Sequence, residues 1–273
     1  MSLPMMLPTA SGDDGYLELL QKIEMEKGIA CASYKERCVR RRISVRLRAT
    51  GISTFTTYSQ LLDSSPAEWE KLLSALTINV TKFFRDTSAF SALESEVYPF
   101  LVESFAGPLQ AWSAGCSHGH EPYSIAMGLA ETVGVDRFRI DATDIDSESL
   151  QTAARGKYND LAAEDISDLR RERWITGSNG DTINNALRSR VTVFRHDLLV
   201  DEIPQKRYHL IACRNAIIYF SRTAQAKLFD SLYHALVPGG FLMLGKVETL
   251  IGPAREKFQS LNVRERLFRR PPE

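Results

Sequence analysis

Residues 115–124 read GCSHGHEPYS, and their side chains admit two chemistries. Cys116, His118 and His120 offer one sulfur and two nitrogens to a transition metal. Gly115, Gly119 and Glu121 stand where a helix begins and could instead cradle a charged cofactor. No fourth ligand or supporting carboxylate accompanies the three metal-type residues, so the expectation here is no metal. A second acid, Asp144, ends the run RFRIDATD, where a strand-end carboxylate can accept hydrogen bonds from a ribose diol. The loop is not the phosphate-binding G-x-G-x-x-G, and Glu121 would repel a pyrophosphate. Two acids at neighbouring strand ends suit a cationic nucleoside cofactor, and S-adenosylmethionine carries a sulfonium and an ammonium. Gly115 and Gly119 are expected to let the backbone approach that ligand.

The elements that must hold these residues follow from periodicity. The first 105 or so residues read as helices: YLELLQKIEMEKGI and YKERCVRRRISVRLRATGI carry apolar residues at helical spacing, with Val39, Ile43 and Leu47 on one stripe and Gly51 as a stop. In SSPAEWEKLLSALTI, Ser65 is a predicted N-cap, Pro66 the first helical residue and Glu68 the partner in a capping box. From LQAWSAG onward, short apolar runs alternate with helical stretches, which predicts an α/β domain with a parallel sheet. PGG before FLMLG reads as a turn. Residues 156–190 are polar and turn-rich, and are predicted to be a small inserted subdomain. The expected layout is a disordered tail over 1–15, a helical domain over 16–90 and the sheet domain over 91–273.

Composition narrows the class. The 273 residues balance 34 basic against 34 acidic side chains, with 44% hydrophobic residues, which suits a soluble globular protein and gives no global attraction to nucleic acid or membrane. Four cysteines without C-x-x-C spacing fit a reducing compartment. With no signal-peptide pattern at the start and no long apolar run, the expectation is a cytoplasmic protein that inserts in no membrane.

TINVTKFFRD, GCSHGHEPYSIAMGLA, ATDIDSESLQTAARGKY and CRNAIIYFSRTAQAKLF followed by PGGFLMLG together resemble the CheR-type chemotaxis receptor methyltransferases, over roughly residues 20–270. The resemblance implies a class I S-adenosylmethionine-dependent methyltransferase (Rossmann-like) domain with a small inserted subdomain, preceded by an all-α N-terminal domain. It implies methyl transfer to chemoreceptor glutamates, giving glutamyl methyl esters and S-adenosylhomocysteine. It places Asn79, Thr81 and Arg85 over the cofactor, Glu121 at its amino group, Asp144 at the ribose, and Asp197 and Leu198 beside the adenine. Arg214 and Asn215 then line the methionine end, with Tyr219 beside the methyl. Arg85 is the candidate for holding the substrate carboxylate, with Arg85 and Tyr219 as the catalytic pair. Two segments depart from the family pattern. His118 and His120 stand where Thr or Ser and an acid are usual, and Lys246-Val247-Glu248 replaces HSE.

Three further expectations follow. Titration of His118 and His120 should weaken cofactor binding as pH falls from 7.5 to 5.5. The basic run Lys35, Arg37, Arg40, Arg41, Arg42, Arg46 and Arg48, with Glu36 as its one acid, should leave arginines such as Arg41 and Arg48 to dock the glutamate-rich cytoplasmic helices of chemoreceptors; no aromatic residues interleave it as a nucleic-acid platform would require. The protein should act as a monomer. The competing readings are a cofactor-sensing or receptor-docking module with weak catalysis, and a methyltransferase with another substrate.

Overall fold

The structure, a computed structural model, describes residues 15–77, 79–159, 165–177, 179–203 and 208–272. Apart from Gly15, the expected N-terminal tail lies outside the described residues. The chain divides into two compact units after Ile78.

The first unit holds α1 (Tyr16–Lys27), α2 (Glu36–Thr50), α3 (Phe55–Ser64) and α4 (Pro66–Leu76). Each buries a stripe at helical spacing: Tyr16, Leu19 and Ile23 in α1, and Val39, Ile43 and Leu47 in α2. Gly51, at φ 72°, ends α2. The capping box on α4 is half formed. The Ser65 side chain accepts from the Glu68 N–H as expected, but the Glu68 carboxylate is drawn instead to a two-pronged bond from Arg46, 2.9 Å at each oxygen, and to the Tyr58 hydroxyl at 2.7 Å. A charge-assisted fork outcompetes a bond to one backbone amide.

The basic run on α2 is therefore only partly a surface. Arg46 is spent on Glu68, Arg42 is buried and donates to the Leu76 carbonyl, and Arg40 lies 3.9 Å from the Tyr16 ring centroid. Arg37, Arg41 and Arg48 remain exposed.

The second unit opens with α5 (Thr87–Ala92), one π turn and α6 (Tyr98–Ser104). Phe83, Phe84, Ala89 and Phe90, assigned by sequence to the helical domain, are core residues of this unit. Then follow β1 (Leu109–Ala114), α7 (His120–Val133), β2 (Phe138–Asp144), α8 (Ser147–Arg155), α9 (Asp168–Trp174), β3 (Ile175–Thr176), β4 (Thr182–Ile183), α10 (Asn185–Arg188), β5 (Val191–Arg195), β6 (Tyr208–Cys213), α11 (Arg222–Ala235), β7 (Leu236–Leu244), α12 (Ala254–Lys257), β8 (Gln259–Asn262) and β9 (Leu267–Arg269).

Among the described residues the main sheet runs β5-β2-β1-β6-β7-β9-β8. The expected parallel sheet is in fact mixed: the first five strands are parallel, while β9 runs antiparallel to β7 and β8 antiparallel to β9. The strand order reverses between β1 and β6, where an open sheet leaves a crevice. α7 is buried from Pro122 to Ala130, as a helix clamped against a sheet must be. PGG is no free turn. α11 runs directly into β7, and the register slips between Tyr208 and Leu210 so that Pro238, which has no N–H to give, and Gly239 bulge inside the strand. Arg270 exchanges backbone bonds with Gly239 and Gly240 there.

The described residues of the stretch 156–190 include α9, the two-residue strands β3 and β4, and α10. Arg170 ties this stretch to α7 and the segment before it. The guanidinium forks onto Glu131, reaches Glu94 at 2.6 Å and stacks 4.6 Å from the Phe84 centroid, and Trp174 donates to Glu131 at 3.1 Å.

Candidate active site

The functional candidates gather where the parallel strands end, because each strand delivers its last side chain to one edge of the sheet and each following loop turns there. After β1 the chain enters a loop with Gly115 at φ 87°, Ser117 at 49° and Gly119 at 91°. Gly115 and Cys116 both donate to the Thr143 carbonyl at 2.8 Å, which lays the loop against the end of β2. Asp144 receives it: one oxygen accepts the Ser117 N–H at 2.8 Å, the other the Asp146 N–H at 3.0 Å. Burial pushes the Asp144 carboxyl above its ordinary range, and these amide bonds oppose that shift.

Asn79 joins the cluster, donating to Asp146 at 2.5 Å and accepting from the Ser117 hydroxyl at 3.3 Å. On the other side of the loop, Glu121 in the first turn of α7 accepts from Ser113 at 2.7 Å and from Arg214 at 3.3 Å. Arg214, its side chain 2% exposed, also donates to Asp86 at 2.7 Å and to the Arg85 carbonyl at 2.8 Å. The Arg85 guanidinium itself folds back to the Val80 carbonyl at 2.7 Å. Segment 79–86 is thus pinned to the ends of β1, β2 and β6 through its flanks.

Asn215, at φ 61°, donates its N–H to Glu248 at 2.8 Å, and a Cβ on Gly115 would meet Ala216 at 3.4 Å. Tyr219 closes a short 3₁₀ turn and is half-buried. Asp197, after β5, is buried, which pushes its carboxyl up; it accepts the Leu199 N–H at 2.8 Å and donates its own N–H to Asp201 at 2.7 Å. Leu198 and Thr81 are half-buried. The structure thus brings Arg85, Glu121 and Arg214 into one bonded group, Asn79 and Asp144 into a second through Ser117, and Gly115 and Asn215 to the wall between β1 and β6. Asp197 and Tyr219 stand in the neighbouring loops, after β5 and β6.

Two readings of the opening loop change. Gly119 serves packing rather than ligand approach: a Cβ there would lie 2.8 Å from Ala153 Cβ of α8 and 3.0 Å from the Tyr158 hydroxyl. His120 lies between Phe83 and Tyr158, ring centroids 4.7 and 4.6 Å away, and burial, with His118 nearby, pushes its pKa down to about 4. It therefore does not titrate between pH 7.5 and 5.5. Cys116 turns into an apolar cluster with Ala142 and Leu150, and burial pushes its thiol well up, while His118 meets the Ser117 hydroxyl at 3.1 Å. The three metal-type side chains diverge.

The sequence reading assigned no role to Asp86, Ser117 or Asp146, and it named Glu248 only as part of a segment that departs from the family pattern. Asp86, Asp146 and Glu248 carried a signal, each being an acid inside or beside a quoted motif.

The donor set fits S-adenosylmethionine. Glu121 and Asp144 present carboxylates at adjoining strand ends, the Nε–H of buried Arg214 has no hydrogen-bond partner among the described residues, and both acids retain lone pairs beyond the bonds they accept. A doubly wound sheet with such a crevice at its switch point, preceded by a helical unit, defines a class I S-adenosylmethionine-dependent methyltransferase.

Residues 79–267 match the family description "CheR methyltransferase, SAM binding domain", and residues 14–77 match "CheR methyltransferase, all-alpha domain". The chain belongs to the CheR methyltransferase family. A chemotaxis protein methyltransferase of Listeria monocytogenes is 34% identical to it, covering 94% of this chain and 97% of its own. That of Escherichia coli is 32% identical, over 88% and 85%. The protein is an S-adenosylmethionine-dependent methyltransferase of chemotaxis. Among the described residues no helix is long and apolar enough to cross a membrane.

Proposed function

We propose that the protein methylates glutamate side chains on the cytoplasmic helices of chemoreceptors, forming glutamyl methyl esters. The observation that carries this reading is Arg214 locked between Glu121 and Asp86 and bonded to the Arg85 carbonyl, which fastens the Arg85 segment to the end of the crevice where the acids stand. When bound, S-adenosylmethionine supplies an electrophilic methyl group on its sulfonium. Glu121 would hold the ammonium, Asp144 the ribose diol, Asp197 and Leu198 the adenine, and Arg214 and Asn215 the methionine end, with Asn79 and Thr81 closing over them.

A glutamate acceptor has a reference pKa of about 4.3 and is ionised at neutral pH, so no base is needed. What the protein must supply is alignment, which can contribute on the order of 7 to 11 kcal/mol. Arg85 swings from the Val80 carbonyl to fix the plane of the incoming carboxylate through paired bonds, and Tyr219 orients the acceptor. Exposed Arg37, Arg41 and Arg48 on α2 attract acidic receptor helices.

Incubation with methyl-labelled cofactor and receptor cytoplasmic fragments tests the proposal. Label released as methanol by mild alkali is expected, and label that survives alkali would overturn the ester.

A further inference from the structure

Glu248 is 3% exposed, and among the described residues backbone amides rather than a cation answer its carboxylate. One oxygen accepts the N–H groups of Gly245 at 2.7 Å and Asn215 at 2.8 Å, and the other accepts that of Ile218 at 3.1 Å. Its own N–H closes a turn onto the Gly245 carbonyl at 2.9 Å. The acid thus belongs to the loop after β7 but spends two of these three bonds on the loop after β6. Those two bonds sit at either end of the bend: Asn215 is left-handed, at φ 61°, and Ile218 is the middle of the turn that ends in Tyr219. A chain that leaves a strand in this way has no ladder to satisfy its amides, so a buried anion does. The fit is tight, since a Cβ on Gly245 would lie 2.7 Å from the Glu248 carboxylate and 2.8 Å from the Asn215 side-chain amide.

We propose that Glu248 is a positioning residue for methyl transfer, holding the 214–219 loop so that Asn215 and Tyr219 face the reacting centre. The inference rests on the methyl-transfer reading of that site. A glutamine at 248 keeps the shape but replaces one acceptor oxygen with an NH2 that faces backbone N–H donors, so the loop must shift to relieve the conflict. A displacement near 1 Å is enough to slow an aligned reaction by about 100-fold.

The test measures kcat and the KM for S-adenosylmethionine in Glu248→Gln, Tyr219→Phe and the double variant. Glu248→Gln is expected to lower kcat by about 30-fold or more while KM moves by less than about 3-fold. If Glu248 acts through the Tyr219 loop, the double variant should be slower than Glu248→Gln by no more than about 2-fold, although Tyr219→Phe alone slows turnover more than that. Effects that multiply, a loss confined to KM, or full turnover in Glu248→Gln would each overturn the proposal. Full turnover in Tyr219→Phe would instead overturn the reading of the site on which it rests. Should Glu248→Gln show no cooperative melting, Gly245→Ala crowds the same contact while keeping the carboxylate, and the same split between kcat and KM is expected of it.

Discussion

Asp144 shows how a single carboxylate is made ready: it is half-buried, and two backbone amides keep it an acceptor. Asp144→Ala is expected to weaken binding of S-adenosylhomocysteine by about 1.5 to 3 kcal/mol in calorimetry, the range for hydrogen bonds to a charged group. His120 carries a pH dependence of a different kind from the one its sequence position suggests. Its folded pKa, about 4 against an ordinary 6.5, means that the unfolded chain binds the extra proton first. Stability is then full above about pH 6.5, falls as pH drops through the window toward 4, and levels off below it, with an upper bound of about 3 kcal/mol. His120→Phe should flatten that part of the melting-temperature profile without steepening cofactor affinity against pH. Glu121 and Asp144 were legible because a strand end and a helix start are local patterns. Glu248 and Asp86 stand in or beside quoted motifs, but their roles were not legible, because the groups that give them meaning, Asn215 and Arg214, lie 33 and 128 positions away.

The helices α2 and α4 were readable from their stripes and stops, yet the pattern did not say where Glu68 would point. Its bonds to Arg46 and Tyr58 join three elements, so Glu68→Ala should destabilise the helical unit by about 2 to 4 kcal/mol in urea unfolding, since it leaves the Arg46 fork and a buried hydroxyl unanswered. Arg46→Lys should recover only part of the loss that Arg46→Ala causes, because an ammonium cannot make the fork. The strands β1, β2, β6 and β7 announce themselves as apolar runs. β8 does not: QSLN is almost wholly exposed, at the sheet's antiparallel edge, so no alternation marks it. The bulge in β7 was hidden for a related reason, since PGG spells a turn locally and only pairing with β6 and Arg270 makes it part of a strand.

At the scale of the molecule, charge and conformation divide the work. Arg41 and Arg48 are exposed on α2, so replacing both with Ala should slow association with receptor fragments at low salt. The deficit should shrink as ionic strength rises past about 0.15 M, where the Debye length is about 8 Å, and turnover at saturating receptor should stay intact. Loss of turnover at saturation would make α2 part of the reaction machinery. The backbone tells a second story. Of the described non-glycine residues at positive φ, Phe84, Asp86, Ser117 and Asn215 all belong to the segments that build the crevice, and Arg266 lies just before β9 and bonds to the Lys246 carbonyl. Left-handed geometry costs an L-residue about 1 to 2 kcal/mol each, and asparagine and aspartate least. The protein therefore is not at its own stability optimum, and the deficit is concentrated in the parts that act. Asn215→Gly, which keeps the N–H that Glu248 holds, should raise the melting temperature slightly while lowering turnover. Selection for heat resistance alone would thus be expected to erode activity at these positions first, and a thermostable relative of this enzyme should owe its gain to sites elsewhere.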